Sequence, residues 1–114
     1  MRLLSIALSC LFAITLSAQT SILDARTNYS IGQLVSVSGV ITSGDEFGLV
    51  RYLQDTTAGI SVYPGIEWSN WTFDPQPGDE IYITGELSEY NSLLQIGPNL
   101  SDVQLLSQNS KWLI

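Results

Sequence analysis

The stretch 33-QLVSVSGVIT-42 decides the fold of this chain. Two kinds of side chain alternate along it, with Val35, Val37 and Ile41 on one face and Ser36, Ser38 and Val40 on the other. A period of two is typical of a β-strand that buries one face. Gly39 interrupts the alternation at a point where a strand bends or bulges. The stretch therefore predicts a bent first strand.

Four more strands are predicted further along the chain. They cover residues 48–54, 60–63, 80–87 and 93–96, and the last of them is prolonged by residues 103–106. Polar or glycine-containing turns separate the strands, and a proline-rich loop spans residues 64–79. Five bent strands in a chain of this size favour closure into an all-β Greek-key barrel, because closure removes exposed strand edges.

One short helix is predicted before the first strand. Ser21 is followed three residues later by Asp24, which is similar to a capping box, and Ile22, Leu23 and Ala25 supply helical residues ahead of Asn28. We expect this helix to plug one end of the barrel.

The first 18 residues have the pattern of a secretory signal peptide. Arg2 precedes an apolar run over residues 3–16, and small or polar residues follow it. The run is shorter than the roughly 20 residues that a membrane-spanning helix needs. Residues 1–18 are therefore predicted to be removed on export to the periplasm, the cell surface or the medium, leaving one domain over residues 19–114. A lipid anchor on Cys10 is the alternative.

The end of the chain leaves a second question open. Residues 111–114 read KWLI and are abruptly apolar. Trp112 and Leu113 would be expected to pack against a neighbouring domain if this domain is the first of a longer protein, and to be buried within a monomer otherwise.

The composition argues against several classes of function. The chain has no histidine and one cysteine, so we expect no metal site, no cofactor and no nucleophile–base pair, and hence no enzyme. The adjacent acids Asp45-Glu46 and Asp79-Glu80 are interpreted as solvated charges in turns. The formal charge of −7 becomes −8 when Arg2 leaves with the signal peptide. Such a charge repels phosphate backbones.

Three segments together resemble a known family. The order 34-LVSVSGVIT-42, 52-YLQDTTAGISVY-63 and 78-GDEIYITGELSEYNSLLQI-96 is similar to the OB-fold domains that occur in secreted Bacteroidetes proteins and extracellular nucleases as accessory modules. The resemblance implies a five-stranded OB-fold barrel. It also implies that single-stranded nucleic acid or an oligosaccharide binds to the face of strands 2 and 3 and the loops near it.

Asp55, in the middle of the second of these segments, is interpreted as a turn residue. An aspartate that enters a tight turn accepts hydrogen bonds from backbone N–H groups one to three residues ahead, and Gly59 supplies conformational freedom at the other end. A catalytic role would need a partner acid or base, and the sequence places none near it.

The candidate binding residues are mostly aromatic. They are Arg51, Tyr52, Gln54, Tyr63, Trp68 and Trp71. Aromatic faces stack on sugar rings or bases, while arginine and glutamine donate hydrogen bonds beside them. The alternative for the two tryptophans is that they cap the open end of the barrel.

The sequence therefore predicts a non-catalytic, exported and monomeric binding module. Its ligand is a carbohydrate, a peptide or a partner domain. Single-stranded nucleic-acid binding through strands 2 and 3, as part of an extracellular nuclease, is the alternative that the resemblance favours and the negative charge opposes.

Overall fold

The computed structural model describes residues 18–110. The predicted signal peptide up to residue 17, including Cys10, lies outside the described residues, and so does the segment 111–114 with Trp112 and Leu113. Within the described part, no helix is long and apolar enough to cross a membrane.

Five strands form a closed barrel, and one short α-helix precedes them. The elements are α1 (Ile22–Asn28), β1 (Leu34–Ile41), β2 (Arg51–Gln54), β3 (Gly59–Val62), β4 (Glu80–Tyr90) and β5 (Leu93–Ser107), with single 3-10 turns at Asp45–Phe47 and Trp68–Asn70. The strand order around the barrel is β1-β2-β3-β5-β4. All neighbours are antiparallel except β3 and β5, which run parallel. The predicted all-β class, five-stranded barrel and single short helix are confirmed.

The helix plugs one end of the barrel. Ser21 is its N-cap, and the Ser21 hydroxyl accepts a hydrogen bond of 3.0 Å from the backbone N–H of Asp24. Ile22 and Ala25 point into the barrel and are fully buried. They join the apolar core contributed by the strands, which includes Val37, Ile41, Leu53, Ile60, Val62, Ile81, Ile83, Leu87 and Ile96.

β1 is more deeply buried than its alternating pattern predicts. Ser36, on the face expected to be exposed, is buried, and its hydroxyl lies 2.7 Å from that of Thr84 on β4. The segment before α1 runs along β1, since the backbone N–H of Thr20 donates to the Ser36 carbonyl and the side chain of Gln19 reaches Ser38. Serine can occupy this position because its hydroxyl has a partner.

Three strands differ from the prediction by three or more residues. β4 continues to Tyr90 rather than ending at residue 87, so Tyr90 belongs to the strand and not to the turn. β2 begins at Arg51 rather than at residue 48, because the chain first makes the 3-10 turn Asp45–Phe47. β5 is one continuous strand of 15 residues that passes through Pro98, rather than two pieces. Proline is tolerated there because β5 pairs with β3 only at Gln95 and Ile96.

The parallel contact between β3 and β5 closes the barrel. Ser61 pairs with Gln95 and Val62 with Ile96, and the backbone N–H of Tyr63 donates to the Ile96 carbonyl at 2.9 Å. Gly97 follows at once with a φ of +118°, and a Cβ atom there would lie 1.9 Å from the Tyr63 carbonyl oxygen. The two strands approach this closely only because residue 97 has no side chain.

Replacing Gly97 with alanine is therefore expected to open this contact. Strain at positive φ and a clash with backbone should together lower the free energy of unfolding by on the order of 3 kcal/mol. Urea denaturation followed by circular dichroism measures the change. Gly32→Ala is the matched control, since φ is +94° there but nothing lies within 4 Å of the added Cβ. It should cost only about 1 kcal/mol, and an equal loss in both variants would contradict the role given to Gly97.

Candidate binding face

A row of polar side chains crosses four strands on the outside of the barrel. Tyr52 on β2 pairs with Ser61 on β3, Ser61 pairs with Gln95 on β5, and Gln95 pairs with Ser88 on β4. Because their neighbours Ile60 and Val62 face the core, these residues face outward. The closed strand order thus places residues from distant parts of the sequence side by side.

Hydrogen bonds hold this row as a polar floor. The Ser61 hydroxyl donates to the Leu94 carbonyl at 3.1 Å, and the side-chain amide of Gln95 donates to the Ser88 hydroxyl at 3.1 Å. Ser88 in turn donates to the carbonyl of Gly97. Ser61 and Gln95 are 2% and 8% exposed, so burial and hydrogen bonds together restrict their side chains.

Tyrosines rise on both sides of this floor. One depression of about 480 Å³ is lined by Val50, Tyr63, Ser88, Glu89, Tyr90, Gln95 and Pro98. A second, of about 400 Å³, is lined by Arg26, Thr42, Tyr52, Leu53, Gln54, Gly59, Ile60, Ser61, Leu93 and Leu94. Gln95 lines the first depression and Ser61 lines the second. Because these two residues pair across β3 and β5, the two depressions adjoin. We call them together the tyrosine groove.

The structure brings three of the predicted binding residues to this groove. Tyr52, Gln54 and Tyr63 line it. The Tyr52 ring is held by Phe47, which meets it edge to face with the ring centres 5.6 Å apart. Tyr63 follows β3 directly, where the alternation of the strand turns its ring outward.

Arg51 and Trp68 lie elsewhere and are buried. The guanidinium of Arg51 donates to the carbonyls of Gly48 and Pro75 at 2.8 and 3.1 Å and to the carboxylate of Asp74 at 3.1 Å. It also lies 5.8 Å from the centre of the Trp68 ring, a cation–π contact. Each of the two residues is 2% exposed, so in this conformation they hold the loop after β3 on the barrel.

Trp71 packs half-buried against the core, outside the tyrosine groove. With Pro64, Ile66, Pro98 and Leu100 it lines a shallow depression at the far end of β3. Its indole N–H has no hydrogen-bond partner among the described residues. Trp68 thus belongs to the apolar core, and Trp71 packs half-buried against it.

Asp55 forms a tight turn and also holds the helix. One carboxylate oxygen accepts hydrogen bonds from the backbone N–H groups of Thr57 and Ala58 and from the Thr57 hydroxyl. The other accepts the backbone N–H of Ile22 at 2.9 Å. Both oxygens are thus engaged in joining the β2–β3 turn to α1. Gly59, at the end of that turn, is the first residue of β3 and pairs with Gln54.

The hydrogen bonds to Asp55 decide its pKa. Burial alone raises the pKa of this carboxyl, but the donors from Ile22, Thr57 and Ala58 outweigh burial and hold the pKa below its ordinary value of 3.8. Asp79, interpreted from sequence as a solvated turn charge, is instead 6% exposed and accepts the backbone N–H of Gln76 at 2.9 Å.

Besides the polar floor of Ser61, Ser88 and Gln95, the sequence patterns did not point to Tyr90 and Arg26 of the groove or to Phe47, which packs on Tyr52. Tyr90 is 67% exposed at the tip of the β4–β5 hairpin, and Phe47 is 61% exposed in the loop before β2. Arg26, on α1, donates to the Gly59 carbonyl at 3.2 Å and lines the groove. An aromatic residue beside the turn residues Asn91 and Ser92 was a usable signal for Tyr90. No local pattern indicated Arg26 or Phe47, because their positions depend on how α1 and the loop before β2 pack against the barrel.

Asp55→Asn tests the link between the turn and the helix. A lowered folded-state pKa stabilises the protein above the unfolded value of about 3.9, and this stability is lost as the pH falls through the folded value. The variant should lose about 1–2 kcal/mol at pH 7 because an amide N–H2 would face the Ile22 N–H. Between pH 5 and pH 2, an interval that brackets the unfolded-state pKa of about 3.9, the free energy of unfolding should fall less in the variant than in the parent protein.

Urea denaturation at a series of pH values measures both effects. Thr56→Val changes the neighbouring turn residue, which makes no hydrogen bond to Asp55, and should keep the acid dependence of the parent. Parallel curves for Asp55→Asn and the parent would rule out the stabilising role of the carboxylate.

Arg51→Ala should destabilise the barrel strongly. Removal of the guanidinium leaves the buried Pro75 carbonyl without its donor and removes the contact with Trp68, so a loss of about 3 kcal/mol is expected. Asp74→Ala should cost less than about 1 kcal/mol, because its side chain is 55% exposed and the ion pair is screened by water. Denaturation midpoints for the two variants check this order, and the reverse order would contradict it.

Comparisons with known proteins establish the fold. No protein-family model and no curated protein matches the chain. Among solved structures, it is similar to the hypothetical protein ygiW from E. coli, with a TM-score of 0.61, 18% identity, and coverage of 79% of this chain and 91% of that one. It is also similar to the OBody AM1L10, solved bound to hen egg-white lysozyme, with a TM-score of 0.53, 18% identity, and coverage of 81% and 95%. At this identity the likeness concerns the fold, and the chain has an OB-fold-like barrel.

Proposed function

We propose that the protein is a non-catalytic binding module that holds a neutral oligosaccharide in the tyrosine groove. The observation that carries this proposal is the combination of a rigid polar floor, built from Ser61, Gln95 and Ser88, with tyrosine walls. Sugar rings present apolar faces that stack on aromatic rings and hydroxyl groups that exchange hydrogen bonds with amides and hydroxyls.

The charges around the groove favour an uncharged ligand. Of the two basic residues between positions 18 and 110, Arg51 is buried on Asp74 and backbone carbonyls, which leaves Arg26 at the groove. Glu89 adds a negative charge to the same surface. Nucleic-acid binding depends on several cations that contact phosphates. Single-stranded nucleic acid is therefore the less favoured ligand.

The groove also lacks the arrangement that sugar hydrolysis uses. Glycosidases place two carboxyl groups on either side of the bond that breaks. Glu89 is the one carboxylate among the described residues that line the groove, and Asp55 is engaged by the turn and the helix. A ligand held here would thus be bound and released unchanged. We place this binding outside the cytoplasm, because residues 1–18 have the pattern of a signal peptide.

Variants of the groove tyrosines test this function. In calorimetric titrations with a panel of neutral oligosaccharides, the parent protein should bind at least one of them. Tyr63→Ala and Tyr90→Ala should each weaken that binding by at least about fivefold, because a lost aromatic stack costs on the order of 1–3 kcal/mol. Ile66→Ala is the matched control, since Ile66 is 55% exposed but lies outside the groove. It should leave the affinity unchanged.

The same titrations distinguish the other ligands. If oligo-dT binds and its affinity falls steeply with salt, the ligand is single-stranded nucleic acid and not an oligosaccharide. Release of reducing ends from the bound oligosaccharide would contradict the non-catalytic role. Binding that survives both tyrosine substitutions would move the site away from the groove.

A further inference from the structure

The serines in the floor of the tyrosine groove offer acceptors to a ligand and no donors. The Ser61 hydroxyl donates its hydrogen to the Leu94 carbonyl, and the Ser88 hydroxyl donates its own to the Gly97 carbonyl. A hydroxyl group has one hydrogen and two lone pairs. Each serine oxygen can therefore accept a further hydrogen bond, but its hydrogen is already engaged.

The same hydrogen bonds fix the orientation of the Gln95 amide. Because the Ser88 hydrogen is engaged by Gly97, Ser88 can only accept from Gln95, so the amide nitrogen faces Ser88 and the oxygen does not. The Gln95 oxygen accepts no hydrogen bond from the described residues, among which the indole nitrogen of Trp71 is the buried side-chain atom that lacks a partner. The Gln95 oxygen is therefore open to the groove as an acceptor.

Apolar surface lies in the same depression as this acceptor. The depression of about 480 Å³ that Gln95 lines is also lined by Val50, Tyr63 and Pro98. Val50 and Tyr63 are half-buried and Pro98 is exposed, so a small apolar group placed beside them would remove further surface from water. The depression thus fits a group that combines an N–H donor with a methyl group.

We propose that this depression selects an acetamido group, so that the oligosaccharide in the tyrosine groove is built from N-acetylated amino sugars; this selection rests on the proposed function. The acetamido N–H donates to the Gln95 oxygen, and the methyl group packs against Val50 and Pro98. A sugar hydroxyl could also donate to Gln95, but it would leave the apolar surface in contact with water. An acetamido group carries no charge, in keeping with a neutral ligand.

A free amine fits this depression less well than an acetamido group. An ammonium group also donates hydrogen bonds, and Glu89 contributes a negative charge to the depression. Glu89 is exposed, however, and its carboxylate is solvated. Beside Gln95, which is 8% exposed, an ammonium group would lose water and gain only neutral acceptors. Because a desolvated charge needs a charged partner, the uncharged group is favoured.

Calorimetric titration with chitotetraose and cellotetraose tests this selection. The two sugars share length and linkage and differ only in carrying an acetamido or a hydroxyl group on each ring. The protein should bind chitotetraose at least about fivefold more tightly, since one buried methyl group contributes about fourfold and the hydrogen bond to Gln95 adds to it. Equal affinities, or tighter binding of the deacetylated tetramer or of any sugar without acetamido groups, would overturn the selection and leave the proposed function in place. Binding of no oligosaccharide would overturn both.

Gln95→Met assigns the selection to the amide. The variant keeps the length of the side chain but leaves the acetamido N–H without an acceptor, so the ratio of the two affinities should fall at least about fivefold. A ratio measured on one sample does not depend on the fraction of protein that is folded. Gln104→Met is the matched control, because Gln104 also lies on β5 but is exposed outside the groove. It should keep both affinities, and an unchanged ratio in Gln95→Met would overturn the role of the amide.

Discussion

The parallel contact between β3 and β5 is the constraint on which the rest of the structure depends. It joins two strands that lie more than thirty residues apart. Two residue pairs form it, together with the hydrogen bonds from the Tyr63 N–H to the Ile96 carbonyl and from the Ser61 hydroxyl to the Leu94 carbonyl. So short a contact closes the barrel because the strands around it are long and the glycine at position 97 lets the backbones meet. Without this contact β4 and β5 would remain a hairpin on β1, and Ser61 and Gln95 would not meet.

Two charged residues, Arg51 and Asp55, hold loops on the barrel through hydrogen bonds to backbone groups. Arg51 holds the loop that carries Trp68 and Asp74, and Asp55 ties the β2–β3 turn to the first turn of α1. Each satisfies several backbone groups that would otherwise lack partners when the loops fold onto the barrel. Because Arg51 and Asp55 are engaged in this way, neither lines the tyrosine groove, which has an uncharged floor and tyrosines on its sides.

The strands were predictable from the sequence, and the partners of the long-range contacts were not. Alternation predicts β1, β3 and β4 to within a few residues. Successive side chains on a strand point to opposite faces, so a few neighbouring residues suffice to show the pattern. The interpretation of Asp55 as a turn residue likewise needs only the next three residues. Its bond to Ile22, however, joins positions 33 residues apart, which no local pattern indicates.

Arg51 shows the same limit at the candidate site. Beside Tyr52 on a predicted outer face, an arginine is interpreted as a ligand-binding residue. Whether it points outward or under the loop depends on where Pro75 and Asp74 return to the barrel, more than twenty residues later. Tyr52, Gln54 and Tyr63 were found because they lie on or next to strands, while Tyr90 joins them only through the closed strand order.

β5 unites these features because its two halves have different neighbours. The first half lies between β3 and β4, and its outward side chains complete the polar floor. After the register shift at Gly85, the second half of β5 pairs with β4 alone among residues 18–110. The 15 residues of β5 extend well beyond the four residues of its parallel neighbour β3. One strand thus completes the groove with its first half and packs on β4 with its second, because the two strands that meet in the parallel contact differ so much in length.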